Sequence, residues 1–264
     1  MIAYPDIDPV ALNLGFLKIH WYGISYVLGI LAAWWLLRFR GSQDQWGFSS
    51  EQVSDLIFYA MLGIIVGGRL GSVIFYNLPY YLQHPLEVIY LQQGGMSFHG
   101  GLLGVFAAVW FFCHKFNKRF FNVTDFIAPV VPIGLGSGRI GNFINGELWG
   151  GPSNLPWAMI FPDPAAGGIA RHPSQLYEAL LEGLILFIIL WWFSSKPRPV
   201  MAISGLFLFG YGVFRFMVEF VRVPDAHIGY LAFDFVTMGM LLSTPMILFG
   251  LILFGIAFRA KEIN

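Results

Sequence analysis

The sequence predicts an all-α polytopic membrane protein with seven transmembrane helices. Hydrophobic residues make up 57% of the 264 residues, and the mean hydropathy is +0.67. Only 11% of the residues are charged, against about 25% in a typical soluble domain. A water-soluble fold of this size could not bury so much apolar surface, which excludes a cytoplasmic enzyme and a disordered chain. Because the net charge is zero, no nucleic acid partner is expected.

Seven stretches are long and apolar enough to span a bilayer, which requires about 20 predominantly apolar residues. They cover residues 20–37, 53–76, 96–113, 123–142, 174–193, 202–221 and 233–257. Turn-forming residues separate the stretches, as at Asn77-Leu78-Pro79 and Gly150-Gly151-Pro152. We expect residues 1–264 to form a single integral membrane domain.

The Lys and Arg residues between the spans predict the orientation. With the N-terminus outside and the C-terminus in the cytoplasm, nine of the 15 Lys and Arg residues face the cytoplasm and three face outwards. This asymmetry agrees with the positive-inside rule. The remaining three, Arg69, Arg139 and Arg215, lie inside spans. A charged side chain there costs about 2.5–3.5 kcal/mol on insertion scales, so it normally faces a partner or a wet cavity.

Each of the first three spans carries one polar feature. The first opens with His20-Trp21-Tyr22-Gly23, where Trp21 fits an interfacial aromatic belt. The second contains Arg69 among glycines spaced four residues apart, a pattern that lets helices approach closely but offers the arginine no partner. The third opens with His99 between glycines. A lone His at a membrane boundary is often structural, yet its unperturbed pKa of about 6.5 also suits proton transfer.

The fourth and sixth spans place polar residues along one helical face. Arg139, Asn142 and Asn145 are spaced i, i+3 and i+6, and Glu147 lies just beyond. This set predicts a seat for an anionic group, because Arg binds phosphate bidentately. The sixth span carries a polar stripe, either a structural ion pair within the helix or the wall of a cavity open to the outer leaflet. The stripe consists of Tyr211, Arg215, Glu219 and Arg222.

The fifth and seventh spans limit the classes of membrane protein that fit the sequence. Glu178 and Glu182 of the fifth span share a face that is expected to look inward. The seventh span has no Lys for a Schiff base, which argues against a retinal pump, and the single Cys113 excludes a Cys-based metal cluster. No metal site is expected. The residues alone predict a polar, partly cationic cavity of a lipid-modifying enzyme, or alternatively of a transporter or flippase for an anionic lipid or solute.

These motifs resemble the bacterial prolipoprotein diacylglyceryl transferase family over nearly the whole chain. The most specific segment is GRIGNFINGE at residues 138–147, the family signature. The other matching motifs are HWYG (20–23), GGRLG (67–71), GGMSFHGGLLG (94–104), RHPSQLYEALLEG (171–183), KPRP (196–199), SGLFLFGYGVFRFMVEFVRVPD (204–225) and TMGM (237–240). The chain departs from the family at Gly151, where many members have Arg, and at Met240, where Gln is frequent.

The resemblance implies a reaction and its partners. Members transfer the diacylglyceryl group of phosphatidylglycerol to the lipobox cysteine thiol of a prolipoprotein signal peptide, forming a thioether and releasing glycerol-1-phosphate. The location implied is the bacterial cytoplasmic (inner) membrane, with no cofactor. The family fold adds a small outward-facing head, here residues 143–172. It also adds peripheral arms, here the N-terminal segment and residues 77–94.

The resemblance also singles out the site residues. Arg139 and Arg215 are expected to bind the lipid phosphate, and Glu219 to orient Arg215. His99 is the candidate base for the thiol, with Tyr22 placing the headgroup or the thiol. Three further residues are expected to bind the substrate headgroup or to brace Arg139: Asn142, Asn145 and Glu147.

Overall fold

A computed structural model describes residues 2–5, 7–90, 94–224 and 229–262 of the protein. Residues 91–93 of the predicted arm lie outside this description. The described chain is mostly helical, and its strands form two short antiparallel pairs. The predicted all-α membrane class is therefore confirmed.

Ten α-helices follow one another in the described part of the chain. They are α1 (Trp21–Gly41), α2 (Ser50–Phe75), α3 (Leu78–Gln83), α4 (Phe98–Lys115), α5 (Phe120–Ile127), α6 (Val131–Ile144), α7 (Ser174–Glu178), α8 (Leu186–Phe193), α9 (Ala202–Glu219) and α10 (Met238–Glu262). A 3-10 turn at Ala128–Val130 joins α5 to α6, and a π-helical stretch at Ala179–Ile185 joins α7 to α8.

Six helical segments among the described residues are long and apolar enough to cross a membrane. They correspond to six of the seven predicted spans. The third predicted span, 96–113, is α4, whose 18 residues include His99 at one end and Lys115 at the other. The last helix begins at Met238 rather than at residue 233. The reason is that Phe233 and Asp234 have φ angles of 52° and 56°, outside the right-handed helical region.

The chain divides into two compact units, one of residues 37–126 and one of residues 1–36 with 127–264. In the first unit α2 packs closely against α4. A methyl group on Gly71 would lie 2.7 Å from the Cα of Gly100, so only glycine permits this approach. The tight helix contact predicted from the glycine spacing is thus confirmed.

Arg69 of α2 forms hydrogen bonds with the segment that follows α2. The guanidinium donates hydrogen bonds to the carbonyl oxygens of Glu87 (2.7 Å), Val88 (2.7 Å) and Gly94 (2.5 Å). The side chain is only 3% exposed. The buried Arg69 side chain therefore pairs with backbone acceptors of the predicted arm, 77–94, a partnership that its sequence context does not reveal.

Replacing Arg69 by Met is expected to loosen this arm, because the three carbonyl oxygens lose a charged donor. Amide hydrogen exchange should show faster exchange in residues 78–90, while the centre of α2 keeps its protection. Lys118→Met is the matched control in the same unit. Lys118 also donates to a backbone carbonyl oxygen, that of Gly47, but this carbonyl lies outside the predicted arm. Unchanged protection in residues 78–90 would contradict the assigned role.

The other unit contains the predicted head. Strand β1 (Val10–Asn13) pairs with β2 (Lys18–His20), and β3 (Met159–Ile160) pairs with β4 (Ala170–Arg171). Within the predicted head, a small buried core is formed by Phe143, Met159, Phe161 and Ala166. Tyr4 packs on this core and donates to the Phe143 carbonyl oxygen at 2.5 Å. Burial raises the pKa of the Tyr4 phenol, which keeps the hydroxyl a hydrogen-bond donor. The N-terminal segment is thereby tied to the head.

Candidate active site

Three arginines converge on the carboxylate of Glu178, which is fully buried at the end of α7. Its Oε2 lies 2.7 Å from Nε of Arg139 and 2.8 Å from Nη1 of Arg215. Its Oε1 lies 2.9 Å from Nη1 of Arg222. The buried Glu178 carboxylate therefore contacts one arginine of α6, one of α9 and one just after α9. Such pairing offsets part of the cost of burying the carboxylate charge.

A second carboxylate, Glu219 at the end of α9, holds two of the same arginines. Its Oε1 lies 2.5 Å from Nη2 of Arg215 and 3.2 Å from Nε of Arg222. Its Oε2 accepts a hydrogen bond from the hydroxyl of Thr237. The polar stripe predicted for the sixth span is thus part of an ion-pair network that extends beyond its own helix.

A chain of amides links Arg139 to the loop after α6. Nη1 of Arg139 lies 3.5 Å from Oδ1 of Asn142, a long hydrogen bond. Asn142 and Asn145 both donate their side-chain amides to Oε1 of Glu147, at 2.8 and 3.2 Å. The four residues predicted as a seat for an anionic group are therefore contiguous in space.

The loop that carries Glu147 is held in place by the start of the fifth predicted span. Gln175 donates to the carbonyl oxygen of Glu147 at 2.5 Å, and Ser174 donates to that of Leu148 at 3.0 Å. Leu148 has a φ of 58°, a conformation that costs a non-glycine residue about 1–3 kcal/mol and persists only where the surroundings enforce it. The hydrogen bonds from Ser174 and Gln175 therefore hold the loop in a conformation that its residues would not adopt alone.

Tyr22 packs against the signature helix. A methyl group on Gly141 of α6 would lie 3.0 Å from Cδ2 of Tyr22, so α1 and α6 are in close contact there. The Tyr22 hydroxyl lies 3.2 Å from that of Tyr26. Tyr22 of α1, Arg139 of α6 and Glu147 of the loop after α6 thus belong to the same unit.

His99 belongs to the other unit, residues 37–126. It lies in the first turn of α4, where it is exposed and its ring contacts Phe98 edge-on. Its role as the base stays a prediction.

The sequence predicted an inward-facing position for Glu178 and a place in the polar stripe for Arg222, but no role in the reaction for either residue. Spacing placed Glu178 and Glu182 on one face but could not name the arginines that meet them. The π-helical stretch begins directly after Glu178, and such segments frequently mark functional sites. Glu182 is also buried and lies 3.8 Å from Arg215. Recognition of the three Arg–Glu contacts required the folded chain.

The arrangement suits an anionic phosphate ester better than a metal ion. Side chains of Arg139, Arg215 and Arg222 remain 23%, 15% and 11% exposed, so the three arginines are not fully enclosed. A small cavity of about 30 Å³ adjoins Arg215, Arg222 and Thr237. Within the described residues, no three His, Cys, Asp or Glu side chains form a metal-binding group. Positioned guanidinium groups are well suited to stabilise a developing phosphate charge.

Comparison with known proteins identifies one family. The profile described as prolipoprotein diacylglyceryl transferase matches residues 9–256. The chain is 57% identical to the phosphatidylglycerol--prolipoprotein diacylglyceryl transferase of Solidesulfovibrio magneticus, covering 100% of this chain and 99% of the relative. It is 59% identical to the enzymes of the same name from Azotobacter vinelandii (99% and 98% covered) and Methylococcus capsulatus (99% and 100% covered).

Proposed function

The chain belongs to the prolipoprotein diacylglyceryl transferase family, and we propose how its residues carry out the transfer. The substrates are phosphatidylglycerol and a prolipoprotein, whose acceptor is the thiol of the lipobox cysteine. A thioether forms and glycerol-1-phosphate leaves, which is the first step of bacterial lipoprotein maturation. The observation that carries the proposal is the convergence of Arg139, Arg215 and Arg222 on buried Glu178.

The proposed location is the bacterial inner membrane, with the N-terminus outside and the C-terminus in the cytoplasm. The excess of Lys and Arg in the segments assigned to the cytoplasm supports this orientation. The signature loop and the head, 143–172, would then face outwards. There they could meet membrane lipid and an incoming signal peptide together.

The reaction exchanges one bond at a glycerol carbon. The sulfur of the substrate thiolate forms a C–S bond as the C–O bond to the phosphate breaks, and the electron pair of that bond leaves with the phosphate oxygen. Arg139 and Arg215 stabilise the second negative charge that develops on the leaving phosphate. Because the substrate supplies the nucleophile, the protein needs no Ser or Cys of its own for the attack.

The residues around the arginines orient them and the lipid headgroup. Glu219 holds Arg215, as the 2.5 Å contact supports. Asn142, Asn145 and Glu147 brace Arg139 and offer hydrogen bonds to the glycerol headgroup. Tyr22 lies on the helix beside them and positions the headgroup or the thiol.

His99 takes the proton of the thiol in this proposal. His99→Gln is expected to slow transfer by about 10²–10⁴-fold, the usual contribution of general base catalysis. Raising the pH should restore part of the activity, since a free thiol with a pKa of about 8.5 then ionises unaided. His114→Gln on the same helix, an exposed His stacked on Trp110, is the control. A His99→Gln enzyme with the wild-type pH profile would contradict the assignment.

The function is tested with the purified protein in phosphatidylglycerol vesicles and a lipobox peptide. We expect release of glycerol phosphate and a peptide heavier by one diacylglyceryl group. A Cys-to-Ser peptide should give neither product. Movement of lipid or anion across the vesicle, without any modified peptide, would instead support the transporter alternative.

A further inference from the structure

Thr237, the residue directly before α10, holds one oxygen of the Glu219 carboxylate. The Thr237 hydroxyl donates to Oε2 of Glu219, while Oε1 serves Arg215 and Arg222. The backbone N–H of Met240 donates to the same hydroxyl oxygen at 3.2 Å, which fixes the orientation of the Thr237 side chain. Thr237 is only 2% exposed, so water does not replace its contact with the carboxylate.

Gly239 gives the carboxylate room to lie against the helix. A methyl group at this position would lie 2.6 Å from Oε1 and 2.7 Å from Oε2 of Glu219. Any larger residue would therefore displace the carboxylate. The start of a long helix also carries a partial positive charge that favours an anion. Thr237 and Gly239 together form a seat for Glu219.

We infer that Thr237 and Gly239 are positioning residues for binding of the lipid phosphate, acting through Glu219 and Arg215. The inference rests on the proposed function, in which Arg215 binds that phosphate. Thr237 holds Oε2 of Glu219, and Oε1 of Glu219 contacts Arg215 and Arg222. Donors of the Arg215 guanidinium are thereby kept for the substrate.

Loss of the Thr237 hydroxyl should change how Glu219 pairs. A planar guanidinium prefers to bind both oxygens of a carboxylate. The cavity of about 30 Å³ beside Arg215, Glu219 and Thr237 gives the carboxylate space to turn. Oε2 would then take a second Arg215 donor away from the lipid phosphate.

Thr237→Val removes the hydroxyl and keeps the shape. We expect the KM for phosphatidylglycerol to rise about tenfold or more, the usual effect of losing a hydrogen bond to a charged group. The KM for the peptide should stay unchanged, and Thr237→Ser should restore the wild-type value. Thr244→Val in α10 is the matched control, because Thr244 donates to the Met240 carbonyl oxygen of its own helix. Gly239→Ala should reproduce the defect of Thr237→Val.

Three outcomes would overturn the inference. One is an unchanged KM for phosphatidylglycerol in both Thr237→Val and Gly239→Ala. Another is a Thr237→Ser protein as impaired as Thr237→Val, and the third is an equal rise in the KM for the peptide. Arg215→Ala separates this failure from that of the proposed function. If Arg215→Ala abolishes transfer while Thr237→Val is silent, only the positioning role is lost.

Discussion

Arg139→Ala and Arg215→Ala are each expected to lower kcat/KM for diacylglyceryl transfer by at least about a hundredfold. Removal of one preorganised donor to a developing oxyanion typically has an effect of this size. Lys at either position should recover only part of the loss, because it keeps the charge but not the planar fork that fits a phosphate. The measurement is the rate of glycerol phosphate release from phosphatidylglycerol vesicles.

The control for these variants is Arg259→Ala, which removes an exposed arginine near the end of α10. Its transfer rate should stay close to that of the wild type. All variants must be recovered from the membrane in equal amounts and with similar thermal unfolding midpoints. Full activity in Arg139→Ala or Arg215→Ala would remove the phosphate assignment.

Glu178→Gln is expected to have the second large effect, on stability as well as on activity. The substitution preserves shape but removes the buried charge that three arginines contact at 2.7–2.9 Å. Removal of one partner from a buried ion pair typically costs about 3–5 kcal/mol. Both the free energy of unfolding and the rate of transfer should therefore fall, and the arginines should lose their shared orientation.

The comparison for Glu178→Gln is Asp55→Asn. Asp55 pairs with Lys115 at 3.1 Å, but both side chains are substantially exposed. Exposed pairs contribute about 0–1 kcal/mol, so the unfolding midpoint and the transfer rate should barely change. Equal effects of the two substitutions would show that Glu178 does not organise the arginines.

The sequence was sufficient to predict the membrane class and much of the candidate site. Long apolar stretches indicate a lipid environment, and glycines four residues apart indicate close helix contact, as between α2 and α4. Arg139, Asn142, Asn145 and Glu147 could be grouped because one helix and its following loop carry them all. Local spacing along a helix is preserved in the fold, so residues grouped in this way can be predicted from the sequence.

Contacts between distant segments could not be predicted in the same way. Glu178 has regular helical spacing to Glu182, but its three arginines come from other segments. Arg69 binds backbone carbonyl oxygens. Because every residue has a backbone carbonyl, the sequence does not indicate which ones Arg69 contacts. The delayed start of α10 depends on the left-handed conformation of Phe233 and Asp234, which is uncommon for a bulky residue such as Phe.

The most direct test of the account follows a heavy-oxygen label through one turnover. Phosphatidylglycerol would carry the label in the oxygen that joins the diacylglyceryl carbon to phosphorus. Attack of the thiolate at carbon, with the arginines receiving the departing phosphate, predicts that all of the label leaves in glycerol phosphate. Label retained in a diacylglycerol product would mean that the P–O bond breaks. It would contradict the central claim that Arg139 and Arg215 stabilise a leaving phosphate.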